Sequence, residues 1–140
     1  MVLSDGHSLN VSRNTNEIQL VRNLSVPVIG ICYGFQILCF SYGAKLIELS
    51  TKREGLVRIV PNINHPIFEE RMNFLAYEKH RFAVQHLPSE FACLARSEDG
   101  CEVVHVQGKQ QFGLQFHPEI ADPQNQGKEI FFNLLRFIYC

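Results

Sequence analysis

One segment of the chain places a cysteine between an apolar run and a helical pattern. The apolar run Val28–Ile31 has no polar alternation, which is typical of a strand buried on both faces of a parallel sheet. Cys32 follows it directly, and a helical pattern over residues 35–42 ends at Gly43, a residue type favoured just after a helix. The turn exposes the sulfur, and the positive end of the following helix favours its thiolate form. The segment therefore predicts that Cys32 is a nucleophile.

The neighbours of Cys32 suit the same chemistry. The backbone amide of Tyr33, at the predicted helix start, can face an oxyanion that develops beside the sulfur. Gly30 and Gly34 lack the side chains that would collide across such a turn. The arrangement is similar to the nucleophile elbow of serine hydrolases, with sulfur in place of oxygen.

A second segment supplies a base and an orienting acceptor. The apolar stretch Gly113-Leu114-Gln115-Phe116 leads into His117-Pro118-Glu119. A thiolate nucleophile needs a group that takes and returns a proton, and that group needs a partner to hold it. We expect His117 to be the base and Glu119 its partner, with Pro118 fixing the direction of both side chains.

The sequence pattern predicts that these residues are positioned by one α/β domain over residues 1–140. Residues 14–24 have near-helical apolar spacing, residues 44–116 carry short β-rich pieces between turn residues, and residues 124–139 form an amphipathic closing helix. In an open α/β sheet, ligands bind at the carboxyl ends of the strands. Cys32 is predicted to lie at such an end.

Composition excludes several classes of protein. The chain is 46% apolar and 19% charged with a formal net charge of −1, so neither nucleic acid nor a membrane is expected as a partner. The five cysteines are odd in number and include no Cys-x-x-Cys pair, which favours a cytoplasmic location and four unreactive thiols besides Cys32. No metal or cofactor is expected, since the histidines have no ligand spacing.

Together the two segments, Gly-Ile-Cys-x-Gly-x-Gln and Gln-Phe-His-Pro-Glu, resemble the signature of class I glutamine amidotransferases. The resemblance covers almost the whole chain and implies a three-layer, flavodoxin-like α/β fold. It implies a catalytic triad of Cys32, His117 and Glu119 that releases ammonia from glutamine through a thioester. It also implies further site residues: the oxyanion-hole amides of Tyr33 and Gly6, and the substrate-binding residues Gln36, Gly34, His80 and Arg81, the last two through the backbone of residues 77–81.

Within this family, residues 77–100 and 117–135 are most similar to the glutaminases of GMP synthases. That resemblance implies a separate ATP pyrophosphatase-type synthetase as partner, with adenylylated XMP as ammonia acceptor. The chain carries no P-loop of its own. Glutaminases of anthranilate or aminodeoxychorismate synthases share most of the same motifs and stay open as alternatives.

Two departures from the family pattern are visible. The loop Leu3–Ser8 resembles the family's Leu-Ser-Gly-Gly-Pro-Ser loop but has Asp5 and His7 at the Gly and Pro positions. Family members also carry a strand–helix–strand unit before this loop, and the present sequence starts at the loop. These departures leave open a regulatory module without turnover. A stand-alone γ-glutamyl peptidase on the same scaffold is a further alternative.

Overall fold

The computed structural model describes residues 2–3 and 23–140. Its seven strands join in one sheet, and a helix packs on each side of the sheet. The strands are β1 (Val2–Leu3), β2 (Val28–Ile31), β3 (Ile47–Pro61), β4 (Phe74–Ala83), β5 (Phe91–Ser97), β6 (Gly100–Val106) and β7 (Gln111–Leu114). The helices are α1 (Tyr33–Ser41) and α2 (Gly127–Tyr139), with a short 3-10 helix at Pro66–Phe68.

The sheet has the order β1-β2-β7-β6-β5-β3-β4. β2 lies between β1 and β7 and is parallel to both, whereas the pairs from β7 to β4 are antiparallel. All four residues of β2 and of β7 are buried, as expected for strands covered on both faces. The parallel strands end at the edge where Cys32 follows β2.

Two apolar clusters fill the spaces between the sheet and its helices. On one face, Ile130 and Leu134 of α2 pack against strand residues such as Phe112 and Leu114. On the other face, Phe35 and Leu38 of α1 pack against Val28 and Val104. The α/β, three-layer fold implied by the family resemblance is confirmed.

The strands of the middle region are longer than the sequence pattern predicts. The pieces around Leu46 and Leu56 form a single strand, β3, which passes through Gly55 at φ +124° and continues to pair with β4. Glycine accepts this backbone angle without a side-chain clash, so the turn-like composition there does not end the strand. The predicted helix over residues 14–24 lies almost entirely outside the described residues. Among those that are described, no helix is long and apolar enough to cross a bilayer.

A disulfide joins Cys93 of β5 to Cys101 of β6. The prediction that four cysteines are unlinked thiols is therefore wrong for these two. They come together because antiparallel pairing of β5 with β6 brings the two strands side by side, a neighbourhood that cysteine spacing along the sequence does not encode. Cys32, Cys39 and Cys140 lie outside the disulfide.

Thiol counting checks this pairing. We expect three reactive thiols in the unfolded, unreduced protein and five after reduction, because only Cys93 and Cys101 are bridged. A thiol reagent applied in guanidinium chloride, with alkylated peptides mapped by mass spectrometry, gives both counts. Five thiols without reduction would contradict the disulfide.

Candidate active site

Cys32 occupies a strained turn between β2 and α1. Its φ of 52° and ψ of −102° lie in a region that non-glycine residues rarely adopt and that costs about 1–3 kcal/mol. Hydrogen bonds on both sides hold the turn: the Cys32 amide donates to Leu114 O at 2.8 Å, and the Gln36 amide donates to Cys32 O at 3.1 Å. Gly30 makes the turn possible, because a β-carbon there would lie 2.4 Å from Gly34 O. The predicted elbow is present, with the nucleophile candidate as N-cap of α1.

Two polar groups approach the sulfur of Cys32. The thiol donates to Lys79 O of β4 at 3.5 Å, and the side-chain amide of Gln115 donates to Sγ at 3.8 Å. The Gln115 side chain is buried, so its direction is fixed. The Gln115 donor and the amino end of α1 favour the thiolate, whereas the carbonyl of Lys79 favours the protonated thiol.

His117 and Glu119 form a hydrogen-bonded pair. The distance from His117 Nδ1 to Glu119 Oε1 is 2.6 Å. Since a carboxylate only accepts hydrogen bonds, Nδ1 carries the proton and Nε2 is the basic nitrogen of the ring. This is the tautomer that a Cys-His-acid triad requires.

Strand β4 brings the pair and the thiol to one place. The His117 amide donates to Tyr77 O at 2.8 Å, and the Cys32 thiol donates to Lys79 O on the same strand, two residues further along. The parallel neighbours β2 and β7 end side by side, with Ile31 opposite Leu114. Cys32 and His117 therefore leave the sheet at the same edge and attach to the same short stretch of backbone.

Asn125 fixes the segment that carries the pair. Its Oδ1 accepts from the amides of Tyr77 and Gly127 at 3.1 Å each, and its Nδ2 donates to His117 O at 2.9 Å and Ile120 O at 3.0 Å. All four hydrogen bonds that an asparagine side chain can make are thus used. Asn125 ties the loop after β7 to β4 and to the start of α2, and it acts as a positioning residue.

The predicted substrate-binding residues differ in burial. Gln36 is buried, and its side-chain amide donates to Phe82 O at 3.0 Å. His80 is also buried, with Nδ1 against Phe82 O at 2.8 Å, so its part in binding would have to come from its backbone. Arg81 is exposed on β4, and Gly34 lies in the first turn of α1. Their roles remain predictions.

Of the two predicted oxyanion donors, Tyr33 lies among the described residues and Gly6 does not. Tyr33 is the first residue of α1, and the amide of a first helical residue points out of the helix end. Tyr33 directly follows the elbow residue Cys32, and its role as an oxyanion donor remains a prediction. Gly6 and the rest of its loop after Leu3 lie outside the described residues.

Sequence reasoning assigned no role to Gln115 or Asn125. Gln115 belongs to the Gln-Phe-His-Pro-Glu motif, and its position between the buried Leu114 and Phe116 was the signal for a buried polar group. Asn125 offered no such signal, since its partners come from three separate segments.

A cavity of about 600 Å³ lies beside the pair and not over the thiol. The loop from Pro118 to Pro123 forms one wall, and Lys128, Phe131 and Phe132 of α2 form another. Glu119 lines it, whereas Cys32 and His117 do not. The candidate nucleophile therefore lies outside the lining of this cavity.

Replacement of Asn125 by aspartate should disturb both stability and catalysis. The change sets a carboxylate against two carbonyl oxygens, so we expect the free energy of unfolding to fall by about 2–3 kcal/mol and kcat to fall about 10–100-fold through misplacement of His117. Urea unfolding and steady-state kinetics measure the two effects. Asn62→Asp is the matched control, because the Asn62 side chain makes a single exposed hydrogen bond, to Cys93 O. Equal effects at both positions would refute the positioning role.

Comparisons with known proteins identify the family and agree with the fold. The family model for glutamine amidotransferase class-I matches residues 2–137. A glutamine-hydrolysing GMP synthase subunit from Methanocaldococcus jannaschii is 30% identical over 139 residues, which cover 97% of this chain and 72% of that protein. The corresponding GMP synthase subunit from Methanopyrus kandleri is 35% identical over 125 residues, covering 86% and 66% of the two chains.

Solved structures resemble the fold. A protein described as a GMP synthase subunit, from Thermoplasma acidophilum, superposes with a TM-score of 0.80 at 22% identity, covering 98% of this chain and 71% of that one. A glutamine amidotransferase from Thermotoga maritima gives 0.73 at 20% identity, with 97% and 60% covered. With a family match over nearly its whole length, the chain belongs to the class-I glutamine amidotransferases.

Proposed function

We propose that this chain hydrolyses glutamine to glutamate and ammonia through a thioester on Cys32. The observation that carries the proposal is the strained elbow cysteine whose thiol attaches to the same stretch of β4 as the backbone of His117, the base held by Glu119. Backbone strain at a polar, partly exposed thiol is typical of a reactive centre. A thiol that served only to fill the core would gain nothing from it.

The proposed reaction has two stages. His117 Nε2 takes the proton of the Cys32 thiol, and the thiolate attacks the side-chain amide carbon of glutamine. The resulting tetrahedral intermediate collapses when Nε2–H gives that proton to the leaving nitrogen, which departs as ammonia. His117 then removes a proton from water, which attacks the thioester carbon, releases glutamate and restores the thiol. Glu119 holds the imidazole in the Nδ1–H form in both stages.

Each stage develops a negative oxygen that needs hydrogen-bond donors. The amide of Tyr33 at the start of α1 is one proposed donor, and the amide of Gly6 is the other. A well-placed donor contributes roughly 3–4 kcal/mol of transition-state stabilisation. Gln115, with its amide on Sγ, is proposed to stabilise the thiolate before attack.

The favoured ammonia acceptor is adenylylated XMP, bound by a separate ATP-dependent synthetase. The relatives from M. jannaschii and M. kandleri are glutamine-hydrolysing subunits of GMP synthases, which supports this acceptor over chorismate. The test is to add XMP, ATP and the synthetase, and to measure GMP formed from glutamine. GMP formation that needs this chain supports the proposal; stimulation by a chorismate-utilising partner alone would replace it.

Covalent labelling tests the nucleophile independently of any partner. A chloroketone analogue of glutamine should add once to the chain, at Cys32, and glutamine should protect against it. Cys39 is an internal control, because it is fully buried and burial raises the pKa of its thiol. A Cys140→Ala background removes the exposed terminal thiol.

The labelling result also separates the alternatives. Loss of labelling in Cys32→Ala supports a glutamine-specific thiol, whereas labelling without glutamine protection would favour a γ-glutamyl peptidase that prefers larger conjugates. Absence of labelling in the folded chain, alone and with a synthetase, would leave only a module without turnover.

A further inference from the structure

Three buried side chains outside the proposed active site converge on one point. Glu78 and His80 lie on the same face of β4, and Glu102 reaches them from β6; one ligand atom from each lies within 4.8 Å of the other two. Their exposed fractions are 0%, 5% and 1%. Such groups are almost never buried unless they are paired or bind a metal.

The Glu78 and Glu102 carboxyl groups lie within hydrogen-bonding reach of each other. Four buried atoms of the cluster receive no N–H or O–H donor from the described residues. They are both carboxylate oxygens of Glu78, Nε2 of His80 and Oε2 of Glu102. The His80 ring donates from Nδ1 to Phe82 O at 2.8 Å, so Nε2 of the neutral ring carries a lone pair. That lone pair lies 3.1 Å from Glu78 Oε2, and two lone pairs at this distance need a cation or a proton between them.

The nearby cation does not fill this need. Arg53 lies opposite His80 in the β3–β4 pairing, but its guanidinium binds Asp99 at 2.7 and 2.8 Å and Glu98 at 3.1 Å. It makes no hydrogen bond to Glu78 or Glu102 in the described part of the chain. Because Nδ1 of His80 lies against Phe82 O, Nε2 is the ring nitrogen that remains for Glu78.

We propose that Glu78, His80 and Glu102 bind a divalent transition-metal ion, with Zn²⁺ as the best fit. Zinc binds imidazole nitrogen at about 2.0–2.1 Å and carboxylate oxygen at about 2.0–2.2 Å, so neighbouring ligands in a tetrahedron lie about 3.3 Å apart. The 3.1 Å from His80 Nε2 to Glu78 Oε2 matches that spacing. A nitrogen ligand and only three protein groups disfavour Ca²⁺ and Mg²⁺, which take oxygen ligands.

The groups behind the ligands have the arrangement of a metal site's outer shell. Metal-binding histidines almost always donate their other ring N–H to a carbonyl or carboxylate, as His80 does to Phe82 O. Ligating carboxylates are themselves hydrogen-bonded, and Ser97 Oγ donates to Glu102 Oε1 at 2.5 Å, leaving Oε2 for the ion. Two carboxylates and a neutral imidazole also balance the charge of one divalent cation.

The ion would fix the strand on which the proposed active site depends. Glu78 and His80 alternate along β4 with Tyr77 and Lys79, whose carbonyls hold the His117 amide and the Cys32 thiol. Cross-linking β4 to β6 through the metal would therefore hold those carbonyls in register. The proposed ion has a structural role: its ligands do not include the thiol or the imidazole of the proposed triad.

Cobalt titration tests the site without reference to activity. The protein is the Cys32→Ser, Cys140→Ser variant, which removes the two accessible thiols, and the probe is Co²⁺ added after chelator treatment. We expect one equivalent to bind with a visible d–d absorption and no thiolate charge-transfer band, to be displaced by Zn²⁺, and to raise the melting temperature.

Three further variants make the result decisive. Glu78→Gln in the same background should lose both binding and the thermal shift, whereas Glu54→Gln, an exposed carboxylate on β3, should retain both. Ser97→Ala keeps all three ligands and should weaken binding about 10–100-fold, which preserves the test if Glu78→Gln does not fold. Absence of a bound equivalent, or undiminished binding in Glu78→Gln, would overturn the proposal and leave a proton shared between the carboxyl groups.

Discussion

Replacement of Cys32 by alanine should reduce glutamine hydrolysis by at least about 10⁴-fold. Loss of a nucleophile that acts together with its base removes the whole covalent route, and in such units the loss from one residue approaches that from all. The measurement is glutamate release from glutamine at saturating substrate, with the synthetase partner present. Cys39→Ala, a buried thiol in α1, is the matched control and should keep its activity.

Replacement of His117 and replacement of Glu119 should reduce activity to different extents, because the two side chains differ in role and in exposure. His117→Ala should match Cys32→Ala, and the double variant should be no worse than either single one. Glu119→Gln should cost much less, because the Glu119 side chain is 59% exposed and water can take its place on Nδ1. A Cys32→Ala variant that keeps more than about a hundredth of the wild-type rate would refute the thioester mechanism.

The same position offers a stability test of the elbow. Because Cys32 has a φ of 52°, Cys32→Gly should be more stable than Cys32→Ala by about 1 kcal/mol, although glycine usually destabilises a protein. Both variants should be inactive. Higher stability of the alanine variant would show that the turn is not strained.

Replacement of Gly30 by alanine should lower the free energy of unfolding by about 3 kcal/mol or more. The added β-carbon would lie 2.4 Å from Gly34 O, 2.6 Å from Gly34 C and 2.8 Å from Phe35 N. These are backbone atoms of α1, so relief requires the helix to move away from β2. Overpacking costs typically about 1–3 kcal/mol when side chains can adjust, and here they cannot.

Gly113 provides the matched control, because it is the register partner of Gly30 in the β2–β7 pair. A β-carbon at Gly113 would meet side-chain atoms of Phe35 and Val104 at 2.8 Å, and these can rotate. Gly113→Ala should therefore cost about 1–2 kcal/mol. Urea unfolding gives the free energy of unfolding of each variant, and the two values can be compared directly if the m-values are equal. An equal or smaller loss for Gly30→Ala would show that α1 does not rest on Gly30.

Movement of α1 should also lower kcat. The helix begins at Tyr33, directly after Cys32, so a shift of its first turn displaces both the sulfur and the proposed oxyanion amide. Gly30→Ala, assayed below its melting temperature, should therefore lose kcat as well as stability. Gly113→Ala should lose mainly stability.

Much of the fold and site could be predicted from local sequence. The elbow depends on a buried strand, a small residue at Gly30 and a helix start, and all three are encoded close to Cys32 in the chain. The His117–Glu119 pair is likewise local, because Pro118 fixes the short link between them. The amphipathic spacing of α2 predicted its buried residues, including Ile130 and Leu134.

Alternation along β4 also encodes two inward-facing polar residues. Phe74 and Ala76 are buried at alternate positions, and Glu78 and His80 continue the same inward series. Side chains two apart in a strand share a face, so the two polar residues had to enter the core. The pattern can place them inside, but it cannot supply Glu102, which comes from another strand.

Residues adjacent in the chain were enough to predict the candidate nucleophile, its base and the class of fold, because each of these depends on local order. The tertiary structure was needed for the four hydrogen bonds of Asn125, the Cys93–Cys101 disulfide and the cluster of Glu78, His80 and Glu102. These depend on which strands become neighbours and in what register, and a slip of one residue would turn Glu78 and His80 to the opposite face.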